Sequence, residues 1–213
     1  MPAATRTDPS AGWFASALRY HRAGRITDAE AVYRRILVLD PGHAGSLHNL
    51  GLIAHQFGHT AAAVDLLAKA VAADGRHADW YNNLALVLLS VGQAAAAEAA
   101  CRQSLGLKPN HPDALVNLGA ALQLLGRLDE AESVLRRTVS LRPRDPQAHA
   151  NLGNVLILMG QTEQAVEAWR KAVAIQPDQP AAQHNLERAL NDLGRPDEAA
   201  EVRQRAQSNR TED

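Results

Sequence analysis

The sequence predicts an all-α solenoid of six helix-turn-helix units, and three observations carry that expectation. Gly24, Gly58, Gly92, Gly126, Gly160 and Gly194 recur at a strict 34-residue interval. Five residues after each stands an alanine: Ala29, Ala63, Ala97, Ala131, Ala165 and Ala199. Around these marks, apolar residues recur three and four apart, the spacing that lines one face of a helix. A fixed period of this length marks a stack of one supersecondary unit. Six units fill the chain from Ser10 to Asp213 as 10–43, 44–77, 78–111, 112–145, 146–179 and 180–213.

Residues 1–9 are polar and small and are expected to be loose. In each later unit the first helix carries a core leucine, at Leu50, Leu84, Leu118, Leu152 and Leu186. The second helices carry a bulky residue at Tyr33, Leu67, Leu135 and Trp169, with Cys101 at the same place in the third unit. That register makes Cys101 a small core residue rather than a reactive thiol. The fourth unit shows the plan in full. Ala114, Leu115, Leu118, Ala121, Leu122 and Leu125 form one helical face, and Ala131, Val134, Leu135 and Val139 form the next. Pro112 suits a first helical turn, where its missing N–H costs nothing. Gly126 can take the left-handed conformation that closes the first helix. Asp129 and Glu130 favour the start of the second helix through its dipole, and Pro143 stops it. The recurring alanine sits where the two helices cross most closely. In the last unit the second helix, from Asp197 to about Gln207, carries Glu201, Arg203, Gln204 and Arg205, a polar face expected of a capping repeat.

The composition narrows the function. Lys plus Arg and Asp plus Glu nearly cancel, giving a formal charge of -1, and only 4% of residues are aromatic. This balance gives no electrostatic footprint for nucleic acid or an acidic membrane. The single cysteine excludes an internal disulfide framework. No stretch approaches the ~20 apolar residues of a membrane span, nor has the start the apolar core of a signal peptide. A cytoplasmic location is the default expectation. No nucleophile–base pair, phosphate-binding glycine loop or paired catalytic carboxylates can be placed, so no catalytic residue, cofactor or metal is expected.

The pattern resembles the tetratricopeptide repeat family. Trp13, Tyr20, Ala29, Tyr33 and Pro41 match its signature in the first unit, as do Leu118, Gly119, Ala131 and Pro143 in the fourth. Leu152, Gly153, Ala165 and Pro177 match it in the fifth. Gly75 replaces the terminal proline of the second unit, and Glu187 the first-helix glycine of the sixth. The resemblance implies a right-handed superhelical solenoid, with first helices on the concave side and second helices on the convex side.

On the implied convex side, Arg34, Lys69, Arg102, Arg136, Lys171 and Arg205 form a basic stripe. Each has an acid four residues earlier, at Glu30, Asp65, Glu98, Glu132, Glu167 and Glu201, so the stripe is expected to neutralise itself. On the concave side, Asn49, Asn83, Asn117, Asn151 and Asn185 stand one residue before the core leucine of five successive first helices. Asparagine is an indifferent helix former, so its recurrence needs a reason. Two are at hand: amide bonds that fix the stacking, or paired donors and acceptors offered to a peptide backbone. Successive units ~10 Å apart would match about three residues of extended chain. The ladder is similar to that in the repeat region of O-linked N-acetylglucosamine transferases, where asparagines at this place hold the substrate backbone; Ala15 breaks it in the first unit. His48, His55, Asn82, Gln123 and Asn154 are the further candidate peptide-binding residues, with Phe14, Leu86 and Leu89 as additional wall. The concave places that would grip a C-terminal carboxylate hold no lysine or arginine, which argues against a chaperone-tail clamp. His21, His48 and His55 share a wall without a carboxylate or cysteine to complete a metal shell. His43, His59, His77 and His111 are expected to be solvated turn residues.

The sequence therefore reads as a non-catalytic protein-interaction scaffold that binds an extended polypeptide. One alternative is the substrate-recruiting region of a larger or partner glycosyltransferase-like enzyme. Another is a scaffold that self-associates by end-to-end stacking.

Overall fold

The structure, a computed structural model, describes residues 9–211, with side chains from 12 to 205. All regular secondary structure among the described residues is α-helical. The chain divides into two compact units, Met1–Pro109 and Asn110–Asp213. The first holds α1 (Pro9–Arg22), α2 (Ile26–Leu39), α3 (Ala44–Gln56), α4 (Thr60–Ala73), α5 (Ala78–Ser90) and α6 (Ala94–Leu107). The second holds α7 (Pro112–Leu124), α8 (Leu128–Leu141), α9 (Pro146–Leu158), α10 (Thr162–Ile175), α11 (Pro180–Asp192) and α12 (Pro196–Thr211). Each odd-numbered helix packs most extensively on the even-numbered helix that follows it. Of the segment expected to be loose, residues 1–8 lie outside the described residues, and Pro9 begins α1.

The hairpin turns follow from local chemistry. The six recurring glycines have φ between +69° and +77°, a region that side chains other than glycine's rarely adopt. At the turn after α7, Gly126 N–H donates to the Gln123 carbonyl at 3.0 Å and Arg127 N–H to the Leu122 carbonyl at 2.9 Å. This pair of bonds satisfies carbonyls that a helix end would otherwise leave open. Prolines open α7, α9 and α11. The Asp145 carboxylate caps α9 by accepting from the N–H groups of Gln147 and Ala148 at 3.0 and 3.1 Å.

Within each hairpin the closest crossing pairs a small residue with a large one. Ala29, Ala63, Ala97, Ala131, Ala165 and Ala199 are all buried. Gly119 faces Leu135, and a Cβ on that glycine would lie 2.6 Å from the leucine Cδ2. Gly51 meets Leu67 and Gly153 meets Trp169 in the same way. In the last hairpin Glu187 and Arg203 occupy these two places and form an ion pair. Cys101 is fully buried, and that burial, with Glu98 nearby, pushes its thiol up to about 12, in keeping with a core residue.

Overpacking this crossing should be costly. Ala131→Leu is expected to destabilise by ~1–3 kcal/mol, and Gly119→Ala to destabilise likewise because the Leu135 side chain has little room to yield. Ala95→Leu, at an exposed position of α6, should change the melting temperature little. Thermal melting followed by circular dichroism compares the three, and an unchanged melt for Ala131→Leu would overturn the packing account.

Candidate functional site

The candidate residues lie on first helices: His48, Asn49 and His55 on α3, Asn82 and Asn83 on α5, Asn117 and Gln123 on α7, Asn151 and Asn154 on α9, and Asn185 on α11. In each helix the asparagine precedes a buried leucine, so the packing of that leucine holds its rotational position.

In the first compact unit the candidate residues carry imidazole and amide groups, with the Trp80 indole beside them. The Asn49 amide donates to the Gly45 carbonyl one turn earlier, at 2.8 Å. Asn83 reaches across from α5 and lies 3.1 Å from His48 Nε2. His48 is only 8% exposed. That burial, reinforced by nearby His77 and opposed by Asp79, lowers its pKa from 6.5 to about 4. The imidazole is therefore neutral at pH 7, and its Nε2 serves as acceptor for the asparagine amide, which can only donate through nitrogen. Trp80 stacks against both imidazoles, with ring centroids 4.7 Å from His48 and 4.1 Å from His77. Asn82 is buried, and His55 is half-buried with Nδ1 lacking a hydrogen-bond partner.

In the second compact unit the candidate residues all carry amides. The Asn151 oxygen accepts from Gln147 Nε2 at 2.8 Å. The Asn154 oxygen accepts twice, from the Trp169 indole N–H at 3.2 Å and from Asn185 Nδ2 at 3.1 Å. Asn117 and Gln123 are half-buried on α7. Within the asparagine register, Asn83 bonds to α3 and Asn185 to α9, in each case the first helix of the preceding hairpin.

Several expectations need correction. His111 is 3% exposed, and its Nδ1 caps α7 by accepting from Ala114 N–H, so it is no solvated turn residue. His43 likewise caps α3 through Ser46 N–H, and its ring contacts Phe14. Phe14 itself packs against Tyr33 and over Gly45, which makes it part of the hairpin core rather than of an open wall. His21 contacts Tyr33, whereas His48 contacts Trp80. Among the described residues no group of three or more His, Cys, Asp or Glu is placed to hold a metal ion. Trp80 is the wall residue that sequence reasoning missed; its signal was its place three residues after His77 on a helix start.

The second-helix face has a different character. Arg34, Lys69, Arg102 and Arg136 pair with the acids four residues earlier at 2.6–2.8 Å, and Arg205 lies 3.7 Å from Glu201. Glu167 lies 4.0 Å from Arg170, three residues on. Between α8 and α10, Arg136 also bridges to Gln164 at 2.8 Å. Between α2 and α4 the corresponding place holds Ala62, and a cavity of about 780 Å³ lies open there, lined by Ile26, Leu37, Ile53 and Phe57 among others. No helix among the described residues is long and apolar enough to cross a membrane.

The buried imidazole has a consequence for pH. The unfolded chain takes up a proton near 6.5, whereas folded His48 resists it down to about 4. Its contribution is complete above the unfolded value and is lost as pH falls through that window, an effect on the order of 2–3 kcal/mol. The His48 C2 proton should titrate with a midpoint near pH 4, and the melting temperature of His48→Gln should fall less than that of wild type between pH 7 and pH 4. A midpoint close to the ordinary imidazole value would overturn the burial account.

Models of the tetratricopeptide repeat match the chain over residues 3–44 and 48–112, and over residues 88–155; a further TPR repeat model matches residues 153–194. No curated protein matches the sequence. Among solved structures the chain is similar to YrrB, described as a TPR protein with an unusual peptide-binding site. The two share 27% identity at a TM-score of 0.72, over 81% of this chain and 89% of that one. It is similar to MamA from Desulfovibrio magneticus at 23% identity and a TM-score of 0.68, over 80% and 97% of the two chains. A thermophilic TPR protein of Thermus thermophilus matches at 19% identity and a TM-score of 0.63, over 85% and 98%. The last two likenesses establish the fold alone.

Proposed function

The chain belongs to the tetratricopeptide repeat family, and from that premise we propose that it is a non-catalytic protein-interaction scaffold whose first-helix wall receives an extended polypeptide. The observation that carries the reading is one asparagine at the same register of five successive first helices: Asn49, Asn83, Asn117, Asn151 and Asn185. A side-chain amide donates and accepts, which is what a peptide group requires. The bonds that Asn83 and Asn185 make to the preceding hairpin engage the nitrogen end of each amide and leave its oxygen to a ligand. Stacking and binding are therefore compatible uses of one residue. The likeness to YrrB, with its peptide-binding site, supports the same reading. Within the first unit the wall would be Asn49, Asn82 and Asn83 with His48 and His55. Within the second it would be Asn117, Gln123, Asn151, Asn154 and Asn185. The second-helix face is the weaker surface for a charged partner, because its ion pairs already satisfy most of its charge.

The test uses the full chain and a peptide selected against it from a random-sequence library, titrated by calorimetry. Each lost neutral hydrogen bond costs ~0.5–1.5 kcal/mol, so Asn117→Ala with Asn151→Ala should weaken binding roughly tenfold. Asp65→Ala with Lys69→Ala is the control, because that exposed pair lies within α4 alone; its affinity should match wild type. Normal binding together with an early melt in the asparagine double variant would assign the ladder to stacking and remove the main support for the reading.

A further inference from the structure

Two amides of the second unit, those of Asn154 and Asn185, are not free to point either way, and the reason lies in the core. Trp169 is 1% exposed, so its indole N–H cannot turn to water. An indole nitrogen only donates, so whatever faces it must be an acceptor. The group that faces it is Asn154, whose side chain therefore has to present Oδ1. Asn185 approaches the same oxygen at 3.1 Å, and an oxygen already serving as acceptor demands a donor. Asn185 must then present Nδ2. One buried indole thus dictates the orientation of two successive amides on α9 and α11.

What remains is a matched pair of unused groups, Nδ2 of Asn154 and Oδ1 of Asn185, on two half-buried side chains. We infer that this pair is a preset reader of polypeptide backbone, with Asn154 Nδ2 donating to a carbonyl and Asn185 Oδ1 accepting from an N–H of a bound extended chain. Trp169 is the positioning residue, acting through Asn154 without touching the ligand. The inference rests on the peptide-binding reading above and adds a fixed polarity to it. Asn151 is set differently, its oxygen accepting from Gln147 Nε2 of its own helix. Preset polarity spares the ligand the cost of ordering the two amides on binding.

The library-selected peptide serves as ligand again, with calorimetry and ¹⁵N spectra of the side-chain amides. Asn154→Asp keeps an oxygen for Trp169 and Asn185 but replaces the outward donor by an acceptor, so binding should weaken about tenfold while the melt is retained. Trp169→Phe should weaken binding about fivefold, and in the free protein it should broaden or double the Asn154 and Asn185 amide signals as both orientations become populated. If Trp169→Phe fails to fold, Asn154→Asp decides. Unchanged affinity in Asn154→Asp, or amide signals of Asn154 and Asn185 that do not move on binding, overturns the inference while leaving the Asn117 and Asn151 result to judge the peptide reading. A library that yields no peptide shifting any first-helix amide signal overturns both.

Discussion

The structure depends on the crossing where each first helix meets the second helix of its own hairpin. There a residue sixteen places later in the chain presses its side chain onto a position with little or no side chain of its own. Gly51 receives Leu67, Gly119 receives Leu135 and Gly153 receives Trp169, in each case so closely that a Cβ would overlap the arriving group. Ala17 lies in one core cluster with Tyr33, and by register Ala85 stands opposite Cys101. Interiors are packed to the density of organic crystals, so volume lost on one helix has to be supplied by the other. Glu187 and Arg203 obey the same geometry with other chemistry: neither is small, and the pair meets through charge. Given this crossing and the left-handed glycine that follows the first helix, the two helices of a hairpin have little freedom to slide.

That rigidity decides what the two faces can offer. Four of the second helices pair an acid with a base one turn apart, and such surface pairs add little to stability or to recognition. First helices carry their polar groups next to the buried leucines, where position is controlled by the core. Some of those groups are drawn into bonds between hairpins, as with Asn83 on His48 and Asn185 on Asn154. Because an amide has two ends, such a bond consumes half of its capacity and aims the other half. The two units differ in how they exploit this. The first surrounds Trp80 with imidazoles and keeps His48 neutral by burial, whereas the second sets amides against one another and against the Trp169 indole.

Helices, turns and the buried register were legible in the sequence because each rests on local sterics that repeat every 34 residues. Gly126, Ala131 and Leu135 can be assigned from spacing without knowing how one hairpin lies on another. The polar contacts were less legible for the complementary reason. Trp169 to Asn154 spans 15 residues, Asn185 to Asn154 spans 31 and Asn83 to His48 spans 35. Each depends on the rotation of one helix relative to another, which spacing does not report. His111 shows a subtler limit. Its place before a helical proline marks a cap, but only the packed structure turns its ring inward, with Nδ1 toward the Ala114 N–H.

In the last hairpin crossing before α11, core and surface become one chain of cause. Gly153 has no Cβ, and the space this leaves is filled by the pyrrole edge of Trp169, whose Nε1 would lie 2.6 Å from the missing atom. An alanine there would displace the ring, and a leucine in place of the tryptophan would bring no donor. The indole N–H, buried at the crossing, needs an acceptor, because an unmet donor in that place is costly. Asn154 stands one residue beyond the glycine on the same helix and supplies it. Its oxygen then fixes the Asn185 amide of the next hairpin. The absence of a single methyl group inside the hairpin therefore reaches the half-buried amides of α9 and α11 as a choice between donor and acceptor.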